Sequence, residues 1–306
     1  MKIVRFTADG ATRVGALDGD TVVELSGVAD TQALAAGGPA ALDAARKALA
    51  SGTGRRPLAS VKLAAPIVPS TVLCSGSNYT DHNKEKANTP ISGKEPEFFV
   101  KTADCVIGPG DTIVHDERLS KKFDAETELA IVIGKAGRHI PVERALEHVF
   151  GYTVANDVTA RERQVRRNEQ GFTWYEVGRG KAFETACPIG PCIVTADEIP
   201  DPQKLRLRTR INGELRQSAS TGNMIFSCAM LIHFFSISFT LKPGFVILTG
   251  TPGGTAWSMD PELGGKWVGG DGSEPLVPAK GYLKPGDNIE NELEKIGVLR
   301  NTVGTA

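Results

Sequence analysis

Phe123-Asp124-Ala125-Glu126-Thr127-Glu128-Leu129-Ala130-Ile131-Val132-Ile133-Gly134 reads as a β-strand that opens on three acids and closes on an almost wholly apolar run. Strand side chains alternate faces, so Asp124, Glu126 and Glu128 share one face while Phe123, Ala125, Thr127, Leu129, Ile131 and Ile133 share the other. Carboxylates leading into an apolar strand are costly to bury unless a cation offsets them. A hard divalent ion does so: Mg²⁺ in particular is held by a few carboxylates together with water and substrate oxygens. Glu-x-Glu alone is also the pattern of a solvated strand face, and the rest of the chain decides between the two.

A third carboxylate, Asp157, follows the apolar strand Gly151-Tyr152-Thr153-Val154-Ala155-Asn156 and precedes a predicted helix. Thr159 with Glu162 three residues later has the form of a capping box, which frees Asp157 from the N-cap role. On that helix Arg161 and Gln164 share a face, placing a guanidinium and an amide near Asp157. His82 and Glu85 are likewise spaced to meet across one helical turn, and a carboxylate beside an imidazole orients it and raises its basicity. The polar run from Lys86 to Glu97, with two prolines and a glycine, is expected to be a mobile loop that closes the pair over the site.

These motifs, taken in order, resemble the fumarylacetoacetate hydrolase family from about Pro69 to the C-terminus. The resemblance rests on Asn78-Tyr79, Asp81-His82 and Glu85, Phe99-Val100-Lys101, Glu126-Thr127-Glu128, Asn156-Asp157 with Arg161 and Gln164, Lys181-Ala182-Phe183, Asn212-Gly213-Glu214 with Gln217, and Thr249-Gly250-Thr251-Pro252. It implies a mixed β fold with some helix: a mixed β-sandwich roll over 66–306, preceded by a small α+β domain over 1–65. It also implies that Glu126, Glu128 and Asp157 bind a divalent metal, Mg²⁺ with Mn²⁺ or Ca²⁺ as alternatives. By the same resemblance His82 and Glu85 activate water, Lys181 stabilises developing charge, and Tyr79, Arg161, Gln164 and Thr251 contact substrate. A homodimer is the implied unit.

Such a site favours reactions whose carbanion is an enolate, because the enolate oxygen can rest on a metal or among strong donors. The leading expectation is hydrolysis of a carbon–carbon bond in a β-diketo acid of the acylpyruvate or fumarylacetoacetate type. Decarboxylation, isomerisation or hydration of a 2-oxo acid in aromatic catabolism uses the same site and is the alternative. A non-catalytic ligand-binding protein is a remote third. Between Thr255 and Tyr282 a Gly/Pro-rich insertion carries Trp257 and Trp267, which either pack the loop down or line the pocket for a bulky substrate.

Composition agrees. The 306 residues are 41% hydrophobic with net charge −1, which supports a sizeable core and excludes the basic excess of a nucleic-acid binder. The strand Lys204 to Ile211 is amphipathic with a solvated basic face. Five scattered cysteines fit reduced thiols in a cytoplasm. No signal-peptide core follows Met1, and the apolar stretch from Phe226 to Leu241 is too short to span a bilayer, so no membrane partner is expected. Turns at Asp9-Gly10 and Asp18-Gly19 divide an N-terminal meander, and Gly37-Gly38-Pro39 breaks the helical sequence after it.

Overall fold

The computed structural model describes residues 1–86, 94–170 and 173–306. Most of the polar run expected to be a mobile loop lies outside the described residues. Among those described, the protein is mostly β, with a main sheet of twelve strands and a second sheet of five. The stretch from Phe123 to Gly134 is interrupted: Phe123–Asp124 pairs with Thr159–Ala160 in a small sheet of its own, and the long strand begins only at Thr127 and runs to Ile133. Thr127–Ile133 is central in the main sheet, between Val149–Asn156 and Val246–Leu248, both antiparallel to it.

This placement explains why the run is apolar on both faces. Leu129, Ile131 and Ile133 pack into a core shared with Leu207, Leu293 and Leu299 of the second sheet and with Leu231, Ile232 and Phe235 of the helix Cys228–Ser238. Ala130 and Val132, pointing the other way, join a core with Leu34 and Ala45 from the helices Thr31–Ala36 and Gly38–Ser51. A strand covered on both sides has no solvated face to alternate against. The N-terminal meander, Lys2–Ala8, Ala11–Asp18 and Thr21–Glu24, continues the main sheet, because Lys2 and Ile3 pair with Val194 and Ile193 of Cys187–Thr195. The Asp9-Gly10 turn forms with both residues at positive φ, 51° and 74°, as a two-residue hairpin of this kind requires.

The capping box does not form. Thr159 lies in a strand and donates its hydroxyl to Asp157 O at 2.9 Å, while Glu162 accepts from Ser120 Oγ at 2.8 Å and from Lys121 N at 2.6 Å. The helix Arg161–Gln164 is a single turn, too short for capping to matter. The basic strand face is not simply solvated either: Arg206 and Arg208 converge on Glu274, at 3.0 and 2.8 Å, and Arg210 meets Glu292 at 3.0 Å. All five cysteines are buried and free. Among the described residues no helix is long and apolar enough to cross a membrane.

Candidate active site

The carboxylates converge because two neighbouring strands end together. Thr127 pairs with Asn156 and Glu128 with Ala155, so Glu128 and Asp157 fall on one face, and Glu126 stands two residues before Glu128. Beyond the paired ends the chains stay tied, Asp157 N donating to Glu126 O at 2.8 Å and Glu126 N to Asn156 Oδ1 at 2.9 Å. One oxygen each from Glu126, Glu128 and Asp157 lies within 4.8 Å of the others. All three side chains are buried.

Three cations surround this cluster. Lys181, at the end of the short helix Val177–Lys181, bridges Glu126 Oε2 at 2.5 Å and Asp157 Oδ2 at 2.7 Å. Lys101 Nζ stands 2.8 Å from Asp157 Oδ1, as an ion pair without hydrogen-bond alignment, and donates to the carbonyls of Lys181 and Ala186. Arg161 donates to Asp124 Oδ2 at 2.9 Å, Gln164 Oε1 at 2.8 Å and Glu126 Oε1 at 2.6 Å. Burial alone would raise the Glu126 carboxyl, but Lys181 and Arg161 hold it below the ordinary carboxylate range. Glu128 behaves oppositely. Burial, then the neighbouring Asp157 and Glu126, push it well above that range, with Gly250 N, donating at 2.6 Å, as a partial offset.

Glu128 is thus a buried carboxylate with no cation within ion-pair distance among the described residues. An all-oxygen donor set that converges on one point, with one charge left unneutralised, fits a hard divalent cation.

His82 enters from the helix Thr80–Lys84, with Nδ1 3.0 Å from Glu85 Oε2. Backbone amides of a glycine turn clamp this helix, Gly253 N donating to Asp81 Oδ2 at 2.9 Å and Gly254 N to Glu85 Oε1 at 2.6 Å. Gly254 sits at φ 106°, where a Cβ would come within 1.9 Å of Arg216 O, so only glycine lets the amide approach this closely. The electrostatics depart from expectation. Burial, followed by the nearby Lys86 charge, lowers the His82 imidazole well below its usual value, and burial raises Glu85. Both shifts disfavour an ion pair, so His82 stands as a neutral base.

A cavity of about 370 Å³ joins these parts, with His82, Glu126, Glu128, Asp157, Gln164, Lys181 and Thr251 all on its wall. Thr251 is fixed by donating to Thr127 O and accepting from Gln217 Nε2, both at 2.9 Å. Gln164 has its Oε1 taken by Arg161, so the amide nitrogen is what it offers the cavity. Glu85 stands behind His82.

Two of the expected substrate contacts are not on that wall. Tyr79 is fully buried in the hydrophobic core with Leu73 and Leu129, and its position on the inward face of the chain keeps it from the cavity. Arg161 is also fully buried, its guanidinium saturated by Asp124, Glu126 and Gln164 and stacked 5.2 Å from the Trp257 ring centre. It orients two cavity residues without facing the cavity itself.

Lys101 and Lys86 were given no site role from the sequence, and Asp124, placed there on the face of Glu126 and Glu128, turns to another use. Lys101 had a signal: in the strand Glu97–Lys101 it alternates with Phe99 on the buried face, where an unpaired lysine is untenable. Asp124 accepts from Ala256 N and Trp257 N, at 2.9 and 3.0 Å, as well as from Arg161, and so binds the insertion to the site. Trp257 supports the site from behind and does not line the cavity, and Trp267 does not line it either. The Trp257 indole meets His82 edge-on, with ring centres 6.2 Å apart. Replacing Trp257 with Ala should therefore cost about 3–5 kcal/mol of stability, measurable as a lowered denaturation midpoint; a loss under about 1 kcal/mol would mean the ring is not structural.

The family model described as "Fumarylacetoacetate (FAA) hydrolase C-terminal" matches residues 71–304, and one described as "Rv2993c-like, N-terminal" matches residues 1–66. The human protein named oxaloacetate tautomerase FAHD2A, mitochondrial, is 42% identical over 267 residues, covering 87% of this chain and 77% of its own length. A solved fumarylacetoacetate hydrolase from psychrophilic Exiguobacterium antarcticum is 36% identical with a TM-score of 0.78, covering 100% of both chains. A maleylpyruvate hydrolase from Sphingobium sp. SYK-6, solved in complex with manganese(II) and pyruvate, is 28% identical with a TM-score of 0.77, again over 100% of both chains.

Proposed function

Because the chain belongs to the fumarylacetoacetate hydrolase family, with residues 71–304 matching its model, we propose that it catalyses keto–enol tautomerisation of a small 2-oxo dicarboxylic acid such as oxaloacetate. The observation that carries this reading is that a neutral, clamped His82 shares one cavity with the Glu126–Glu128–Asp157 cluster and Lys181. The relative named oxaloacetate tautomerase supports it.

Glu126, Glu128 and Asp157 would hold the divalent ion, which when bound supplies Lewis acidity that makes the carbon beside a 2-oxo group more acidic. In the tautomer that donates Nδ1–H to Glu85, His82 presents a lone pair at Nε2. That atom takes the proton from the carbon next to the ketone. Lys181 and the Gln164 amide donate hydrogen bonds where negative charge gathers on the oxygen. Returning the proton from Nε2 to that oxygen completes the enol, and the reverse sequence gives the ketone. Thr251 and the Gly250 backbone shape the wall against which the substrate lies.

Hydrolysis of a carbon–carbon bond in an acylpyruvate is a second reading. It is supported by the His82–Glu85 contact, an arrangement able to activate water, and by the maleylpyruvate hydrolase among similar structures. One experiment separates the two: Mg²⁺- or Mn²⁺-loaded protein is given enol-oxaloacetate and, separately, acylpyruvates, following enol absorbance and identifying products. Enol decay well above the rate with metal alone, with no pyruvate or CO₂ released, is the expected result. Release of pyruvate from acylpyruvates without any tautomerase activity would replace this proposal with hydrolysis.

A further inference from the structure

Lys86 is a cation on the cavity wall that neither the carboxylate cluster nor the His82–Glu85 pair employs. It directly follows Glu85, and its backbone forms an antiparallel bridge with Gly265, while Lys266 N donates to Glu85 O at 2.8 Å. Its Nζ donates to Ser77 Oγ at 2.5 Å and stands 5.8 Å from the Trp257 ring centre. Ser77 is itself held, donating to Glu97 Oε2 and accepting at its carbonyl from Asn83 Nδ2, both at 2.8 Å.

The other cations of the site are committed: Lys181 to Glu126 and Asp157, Lys101 to Asp157, Arg161 to Asp124 and Glu126. Among the described residues no carboxylate lies within ion-pair distance of Lys86 Nζ; Glu97, also on the wall, reaches it only through the Ser77 hydroxyl, and an indole face covers its other side. The cavity therefore carries a positive group at a second place, set apart from the carboxylate cluster.

We infer that Lys86 binds the distal carboxylate of a 2-oxo dicarboxylic acid whose 2-oxo end lies at the Glu126–Glu128–Asp157 cluster, and that it sets the preference for diacids over monoacids. The orientation of the ligand rests on the function proposed above. Burial lowers Lys86 to about 8, with Glu97 and Glu126 acting to raise it and Arg161 and Lys181 to lower it further. The charge is accordingly present at neutral pH and is lost as pH rises through that value.

Malate and lactate test this without turnover, since both can chelate through a carboxylate and a 2-hydroxyl, neither can tautomerise, and only malate has the distal carboxylate. Calorimetry on Mg²⁺-loaded protein at pH 7 should show malate binding at least about tenfold tighter than lactate, the size of a charge-assisted hydrogen bond. Lys86→Gln should remove that preference while leaving lactate affinity within about twofold. Lys86→Arg should keep it, and should keep it above pH 8, where the unsubstituted protein loses it.

Equal losses for both ligands in Lys86→Gln, or no malate preference in the unsubstituted protein, would overturn the assignment. Should Lys86→Gln bind neither ligand, Lys86→Arg decides, and its failure to retain the preference is equally fatal. Absence of oxaloacetate turnover with the malate preference intact would overturn the tautomerase reading and leave Lys86 where it is placed here.

Discussion

Chelation should abolish activity, and Mg²⁺ or Mn²⁺ should restore it. A Lewis acid at the reacting oxygen contributes several kcal/mol, and at about 1.4 kcal/mol per tenfold its loss is worth about three powers of ten in rate. Changing Glu126, Glu128 or Asp157 to Ala should weaken metal binding and cut activity in parallel. Glu128 gives the sharper test, because among the described residues no cation lies within ion-pair distance of its buried carboxyl, and burial pushes it well above the ordinary carboxylate range. Glu128→Gln removes the cost of burying that ionisable carboxyl, so the metal-free variant should unfold at a higher temperature than the metal-free parent. It should also lose the stabilisation that metal confers on the parent, about 2.7 kcal/mol at a hundredfold excess over Kd. Full activity after exhaustive chelation would end the metal assignment.

His82→Ala is expected to slow tautomerisation by about 10²–10⁴-fold, the usual worth of a positioned general base, with metal affinity unchanged. Glu85→Gln should act in the same direction and more weakly, since the imidazole stays in place. Decarboxylation depends mainly on the electron sink and an oriented carboxylate, so a much smaller effect of His82→Ala would point there. The pH profile carries the same test. Burial and Lys86 lower His82 from its ordinary 6.5, so the free base persists below that pH and kcat/KM should stay level through the usual imidazole range. Stability does respond: below pH 6.5 the unfolded chain takes up a proton at this residue that the folded chain does not, so the folded state loses stability as pH is lowered. An acid limb centred at 6.5 would show that His82 is not buried as described.

The carboxylate cluster was legible in the sequence because period-two spacing on a strand is local, while its reading as a metal site came from the family resemblance. Glu126 and Glu128 needed only alternation, and Asp157 only the end of the neighbouring apolar strand. What the sequence hid was where the strand broke. At Ala125–Glu126 the chain leaves the main sheet, sending Asp124 to Arg161 and the Trp257 amide instead of into the cluster. Arg161 looked like a substrate contact for the same reason: its helical partner Gln164 was visible, but not the two carboxylates that enclose it. Tyr79 sits one residue after Asn78, whose side chain holds Thr249 O and Phe226 O, and nothing in the local pattern shows the ring turning into the core. The shift of His82 away from the protonated form comes from its burial, and one ring against it, Trp257, arrives from far along the chain.

The parallel pairing of Val246–Leu248 with Val72–Gly76 joins segments far apart in the polypeptide. Glu126, Glu128 and Asp157 sit at the ends of two strands adjacent in sequence, so closing their loop is entropically cheap, whereas His82 meets them only after a long-range register is made. During synthesis the carboxylates can be brought together well before Gly253 and Gly254 emerge to clamp the helix that carries His82. The acidic half of the site is thus expected to assemble first, and His82 to be held in place only when the last fifth of the chain has folded.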